Sequence, residues 1–288
     1  MRWNRGAPGG NVQDRRSRPG GRAALPVGGG LIGVIATVLI LFLGGGGGYD
    51  VGSPFEQFPS QPQAAGDGSA MQNAPDAERE LVDFVSFVIG DLQKFWADDF
   101  RKADRAFEAT QLVLFRQATD TGCGTGSAQT GPFYCPRDRK IYVDLGFFRE
   151  LAQRFNAPGD FAQAYVLAHE YGHHVQTLTG ITKQVDEAAR EDPGQRNALS
   201  VRVELQADCL AGVWAHSTFE RGLLEQGDLE EGLTAASSVG DDRIQEQATG
   251  RISPETFTHG TAAQRASWFK RGFDGGDATA CDTFSGDI

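Results

Sequence analysis

The chain has 288 residues, 40% hydrophobic and 23% charged, which fits an ordinary globular protein of one or two domains. That composition excludes a wholly disordered chain, a collagen and a multi-span transporter. The net charge of −11 argues against nucleic acid as a partner of the main body, because a surface tracking a phosphate backbone needs an excess of Lys and Arg.

The charge is unevenly spread. Residues 1–22 carry Arg2, Arg5, Arg15, Arg16, Arg18 and Arg22 against one acid, Asp14, so the basic segment 1–24 is +5 and the rest is −16. No charged residue occurs from Ala23 to Tyr49, and the stretch 25–43 is largely apolar. As a helix its 19 residues would cover about 30 Å, enough for a bilayer core, so a single transmembrane helix is expected at 25–43. Arginines on its N-terminal side put the N-terminus in the cytoplasm and the remainder outside, as a single-pass cell-membrane protein with an extracytoplasmic domain. A cleaved signal peptide is the competing reading, although no A-x-A site follows the run. Residues 44–75, rich in Gly, Pro, Gln and Ser, read as a flexible tether to a domain at 76–288.

The domain reads as α+β, mostly helical with a small sheet. A helix opens at Pro75 or Asp76, with Leu81, Phe84, Val85, Val88, Leu92, Phe95 and Trp96 recurring at three- and four-residue steps. Gln111–Gln117 and Lys140–Leu145 are strand candidates, the second leading into a helix over Phe147–Phe155. Helices are expected from Asp160 to about Leu178, from Gln195 to Arg221, from Asp228 to Ala248 and from Thr261 to Arg271. The four cysteines all follow the apolar run, and an even count outside the cytoplasm favours disulfides. Of three connectivities, Cys123–Cys135 closes a Gly-rich loop and Cys209–Cys281 ties the C-terminal tail to a helix; free buried thiols are the alternative.

The chemistry sits at His169-Glu170-Tyr171-Gly172-His173. Four residues advance a helix by about 400°, so the two histidines share a face and can meet one Zn²⁺, while Glu170 stands beside that face as a general base. With 5 His and 15 Glu in the chain, accidental matches to this pattern are expected on the order of 0.005 times. Gly172 inside the helix costs about 1 kcal/mol relative to Ala, which the close approach of a neighbouring element would justify. A catalytic zinc needs a third protein ligand. His174 is turned away from the pair; His216 and His259 are possible. Glu204 is the better choice, at the edge of an apolar stripe of Leu199, Val203, Ala207, Leu210 and Trp214, with Asp208 one turn on as the acceptor for a ligand histidine. The alternative is that Glu204 pairs with Arg202 or Arg243.

The stretch Ala168–Gln176 resembles the bacterial neutral zinc metallopeptidase family of YpfJ-like proteins. So do Gly131–Pro136, Glu204–Gly212 and Thr258–Arg265, together with the layout of basic N-terminus, apolar segment, tether and domain. The resemblance implies a zincin-type fold, strengthens Glu204 as third ligand beside His169 and His173, and implies a zinc peptidase acting on a peptide or protein substrate. The water on the zinc would lose a proton to Glu170, which then protonates the leaving amine. His259 is the candidate stabiliser of the oxyanion, with Tyr171 and Tyr142 behind it. The strand Lys140–Leu145 is either the edge along which an extended peptide lies or a plain core strand. A non-catalytic zinc-binding envelope scaffold or partner-binding protein is the alternative function; an intact Glu170 speaks against it.

Overall fold

The computed structural model describes residues 1–4, 11–17 and 75–288. The apolar run at 25–43 and nearly all of the tether lie outside the described residues. Among the described residues no helix is long and apolar enough to cross a membrane.

Helix α1 (Pro75–Lys102) buries Phe84, Val85, Val88, Ile89, Leu92, Trp96 and Phe100, the expected stripe extended by one turn. Strands β2 (Gln111–Phe115) and β6 (Lys140–Asp144) pair in parallel and lie at the centre of a four-stranded sheet. Strand β1 (Val12–Asp14) adds to β2 in parallel, and β5 (Phe133–Cys135) pairs antiparallel with β6. A separate hairpin joins β3 (Ala118–Thr121) to β4 (Gly124–Ser127). After β6 the chain enters the short helix α2 (Gly146–Gln153).

The remaining helices build the main core. Helix α3 (Asp160–Thr179) ends at Gly180, whose φ of +83° stops it, and α4 (Ile181–Glu191) departs from there. Helix α5 (Arg196–Glu220) crosses α3 and packs along α8 (Ala262–Gly275). A side chain at Gly272 would stand 1.9 Å from the Cys209 carbonyl oxygen, so the α5–α8 crossing is set by main-chain contact. The single helix expected over Asp228–Ala248 is two, α6 (Asp228–Ser238) and α7 (Asp241–Thr249). The break has a tertiary cause. Gly240 lies against the start of α8, where a Cβ would meet the Ala262 nitrogen at 2.2 Å, and Asp242 accepts the Ala262 N–H at 2.8 Å.

Both disulfides are formed, Cys123–Cys135 and Cys209–Cys281, with Cα separations of 5.9 and 5.5 Å. These are the pairings favoured from the sequence.

The N-terminal residues differ most from expectation. Instead of forming a separate unit, residues 1–4 and 11–17 pack on the domain. Met1 is buried, its ammonium 2.9 Å from Asp160 and 3.1 Å from Asp228. Trp3 meets the rings of Phe84 and Phe87, and Val12 to Asp14 stand opposite Leu112 to Leu114.

Candidate metal centre

Helix α3 is buried on every side from Ala164 to Gln176, so its polar side chains must find partners inside the protein. His169 and His173 lie one turn apart, with ring centroids 4.8 Å from each other. From α5, Glu204 brings Oε2 to 3.1 Å from His169 Nε2 and Oε1 to 3.5 Å from His173 Nε2. The three donor atoms fall within 4.8 Å of one another. Gly172 permits this crossing: a Cβ there would meet the Ala207 Cα and carbonyl oxygen at 3.0 Å, so its lost helix propensity is exchanged for a close approach of the two backbones.

Each imidazole is held from behind. His173 Nδ1 lies 2.9 Å from Gln176 Oε1. Gln176 Nε2 donates to the Val203 carbonyl at 2.7 Å and to Gln206 Oε1 at 3.0 Å, which fixes the amide so that its oxygen faces the ring. An amide oxygen only accepts, so His173 carries its proton on Nδ1 and presents a lone pair at Nε2. His169 Nδ1 lies 2.8 Å from Asp208 Oδ1. Asp208 is fully buried, and Arg265 neutralises it by donating from Nε to Oδ2 at 2.8 Å and from Nη2 to Oδ1 at 3.0 Å. Tyr165 donates to Oδ1 at 2.5 Å. This is the arrangement that turns imidazole Nε2 atoms toward a cation.

The electrostatics agree with the geometry. Burial alone would raise the Glu204 carboxyl, but the His173 and His169 rings hold it well below the usual carboxylate range. Burial works against a proton on His169, yet Asp208 overrides it and lifts the imidazole to about 10. A proton and a cation therefore compete for His169 Nε2, and cation binding weakens as pH falls. Burial raises the Glu170 carboxyl, only partly offset by the neighbouring histidines and by backbone hydrogen bonding from Tyr134 in β5. Glu170 Oε2 is buried and has no hydrogen-bond partner.

Two imidazoles, one carboxylate and a further carboxylate beside them suit Zn²⁺ in type and number. The donor set fits a metal that keeps one coordination position for a water or substrate. A second acidic group, Asp160, Asp228 and Glu231, also converges, but the Met1 ammonium already sits against the first two.

His259 lies outside the ligand triad. Its Nδ1 is 3.0 Å from Asp241 Oδ1, and Asp241 Oδ2 accepts the N–H groups of Thr258, His259 and Gly260 at 2.7, 2.6 and 3.1 Å. His259 is also among the groups that help hold the Glu204 carboxyl low, after the His173 and His169 rings. With the Nδ1–H committed to Asp241, donation from Nε2 toward a reacting group requires the doubly protonated ring, paired with the Asp241 carboxylate.

Other candidates are placed elsewhere. His174 donates from Nε2 to the Glu108 carbonyl and meets the Tyr134 hydroxyl at Nδ1, and His216 donates from Nδ1 to the Phe273 carbonyl. Tyr142 donates to Asp138 at 2.5 Å within the small cluster around Phe115 and Phe133, and the Tyr171 ring packs on His174. Arg202 reaches the Thr283 and Gly286 carbonyls rather than Glu204. The strand Lys140–Leu145, weighed as a substrate edge, lies between β2 and β5; the edge on this side of the sheet is β5.

Sequence reasoning missed Gln176, Gln206, Tyr165, Arg265 and Asp241. Gln176 had a signal, since it follows His173 by three residues on the same helix face. Arg265 and Asp241 act across the fold, and nothing in their local sequence pairs them with Asp208 or His259.

A sequence model of the family described as "Putative neutral zinc metallopeptidase" matches residues 1–284. The uncharacterized protein YpfJ of Escherichia coli is 44% identical over 295 residues, covering 100% of both chains. An uncharacterized protein of Mycobacterium tuberculosis is 49% identical over 185 residues, 60% of this chain and 62% of its own length. No solved structure matches the chain.

Proposed function

Because the chain belongs to this neutral zinc metallopeptidase family, we propose that it hydrolyses peptide bonds, using Zn²⁺ held by His169, His173 and Glu204 in a zincin-like arrangement. The observation that carries this reading is Glu170: a buried carboxylate with an unpartnered oxygen, next to three converging ligands. A structural zinc site has four protein ligands and no use for such a group.

When bound, the metal supplies Lewis acidity and lowers the pKa of a water. The protein supplies the rest. Glu170 takes a proton from the attacking water at Oε2 and returns it to the amine nitrogen as the C–N bond breaks. Burial raises its carboxyl, which favours holding the proton between the two halves of that exchange. His259, fixed by Asp241, donates from Nε2 to the oxygen on which charge develops. The Asp208–Arg265 pair keeps His169 in its tautomer without adding net charge. An extended peptide adds to the free edge of β5, whose Tyr134 amide neighbours Glu170. The two disulfides support an oxidising, extracytoplasmic compartment, and the 25–43 run supports attachment to the membrane.

The test measures zinc content and cleavage of an unfolded protein for the wild type, Glu170→Gln and His169→Ala. Glu170→Gln is expected to keep zinc and lose activity by about 10²–10⁴-fold, while His169→Ala loses both. Wild-type cleavage by zinc-loaded Glu170→Gln overturns the assignment.

A further inference from the structure

The basic N-terminus reads in sequence as a cytoplasmic flank, separated from the domain by a membrane. The structure gives it another use. Strand β1 is hydrogen-bonded into the sheet: the Leu112 N–H donates to the Asn11 carbonyl at 2.7 Å, and the Arg15 N–H donates to the Leu114 carbonyl at 2.8 Å. Upstream, the Arg2 N–H donates to the Leu223 carbonyl at 2.7 Å, and Trp3 stacks edge-on against Phe84 with centroids 5.5 Å apart.

The arginines are employed as well. Arg15 reaches Thr119 Oγ1 and the Asp120 carbonyl, and its guanidinium lies over the Tyr142 ring, 5.9 Å from the centroid. Arg16 bonds Asp14 at 2.6 Å and Glu78 at 2.7 Å, and Arg2 stands 3.6 Å from Glu225. Each of these three cations has a local partner on the domain or the strand, so among the described residues the positive charge serves packing.

We infer that the N-terminal arm and the 75–288 domain lie on the same side of the membrane, the arm being an edge strand of the folded domain rather than a cytoplasmic tail. Contacts near 3 Å join residues on both sides of the 25–43 run in sequence, whereas a hydrocarbon layer is about 30 Å thick. A run that crossed the bilayer once would hold β1 and β2 apart. The family match begins at residue 1 and so includes the arm. The inference does not rest on the peptidase reading.

Sidedness of two exposed positions tests it in the full chain in right-side-out membrane vesicles. All four native cysteines are in disulfides, so Asn4→Cys and Glu187→Cys each create the single free thiol of their variant. Both side chains are exposed, and neither substitution touches the core. The probe is a membrane-impermeant maleimide, applied before and after permeabilisation. Equal labelling of the two variants before permeabilisation is the expected result. Protection of both until permeabilisation also supports a shared side, and overturns the extracytoplasmic placement instead. Labelling of Glu187→Cys before permeabilisation with Asn4→Cys reacting only afterwards overturns the inference. Zinc content and cleavage, measured separately, are indifferent to all three outcomes.

Discussion

Helix α1 buries Phe84, Val88, Leu92 and Trp96 along one stripe and leaves Arg79, Glu80 and Lys94 at the surface, whereas α3 is buried all round from Ala164 to Gln176. In α1 the buried face is almost wholly apolar, Gln93 excepted, and the core asks chiefly for apolar shape. In α3 every buried polar group needs a partner inside the protein. His169 finds Asp208, His173 finds Gln176, and His174 finds Tyr134. The Glu170 Oε2 and the Tyr171 hydroxyl are left without a partner, and of the two it is the Glu170 carboxylate that neighbours the converging ligands. A helix whose stripe disappears has exchanged periodicity for a network, and the network is where chemistry is placed.

The comparison can be broken by substitutions of similar size in the two helices' surroundings. The largest effect is expected at Arg265→Met, which leaves Asp208 buried without its cation. The loss should be about 3–5 kcal/mol in chemical denaturation, as for other broken buried pairs. A cost no larger than a methylene deletion would show that Asp208 does not depend on Arg265. Next comes Gln176→Ala, which frees the His173 ring while leaving all three ligands in place. Zinc affinity should fall about 10–100-fold, read by competition with a chelator, with little change in helix content. In α1, Ile89→Val removes one methylene from a fully buried site and should cost only about 0.5–1.5 kcal/mol, with zinc affinity unchanged.

The smallest effect is one of pH. Burial alone would raise the Asp241 carboxyl, but the His259 hydrogen bond and the loop amides hold it below its ordinary 3.8. Its contribution is therefore full above the ordinary value and is lost as pH falls through the lowered one. Asp241→Asn should be less stable than wild type at neutral pH and lose less on acidification, measured as urea midpoints on either side of 3.8. A variant as acid-sensitive as wild type would remove Asp241 from the account.

What could be read from sequence follows the same division. The α1 stripe, the ligand helix and the His169–His173 spacing depend on local periodicity. Glu204 was visible as a carboxylate misplaced beside an apolar stripe, and Asp208 as its companion one turn on. The β3–β4 hairpin was not visible, because Ala118–Thr121 and Gly124–Ser127 carry little apolar or β-branched alternation and form by pairing with each other. Strand β5 has only three residues, and β1 only three, the latter specified by a partner about a hundred residues away. The break between α6 and α7 depends on the backbone of α8 lying against Gly240, a contact no single segment encodes. Arg265 and Asp241 escaped for the same reason: their roles exist only once distant helices have met.

The missing methyl group at Gly172 has a consequence for which ions can enter. The spacing of the two ligand-bearing helices is fixed by main chain touching main chain, at 3.0 Å from where a Cβ would stand to Ala207. The gap between the imidazoles and the opposing carboxylate is thus inherited from how the backbones abut. A small tetrahedral ion at bond lengths of about 2.0–2.1 Å can be held there without disturbing that contact. A larger ion such as Ca²⁺, with ligand distances of about 2.3–2.6 Å and a need for six or more oxygens, finds two nitrogens and a single carboxylate on helices whose backbones already touch.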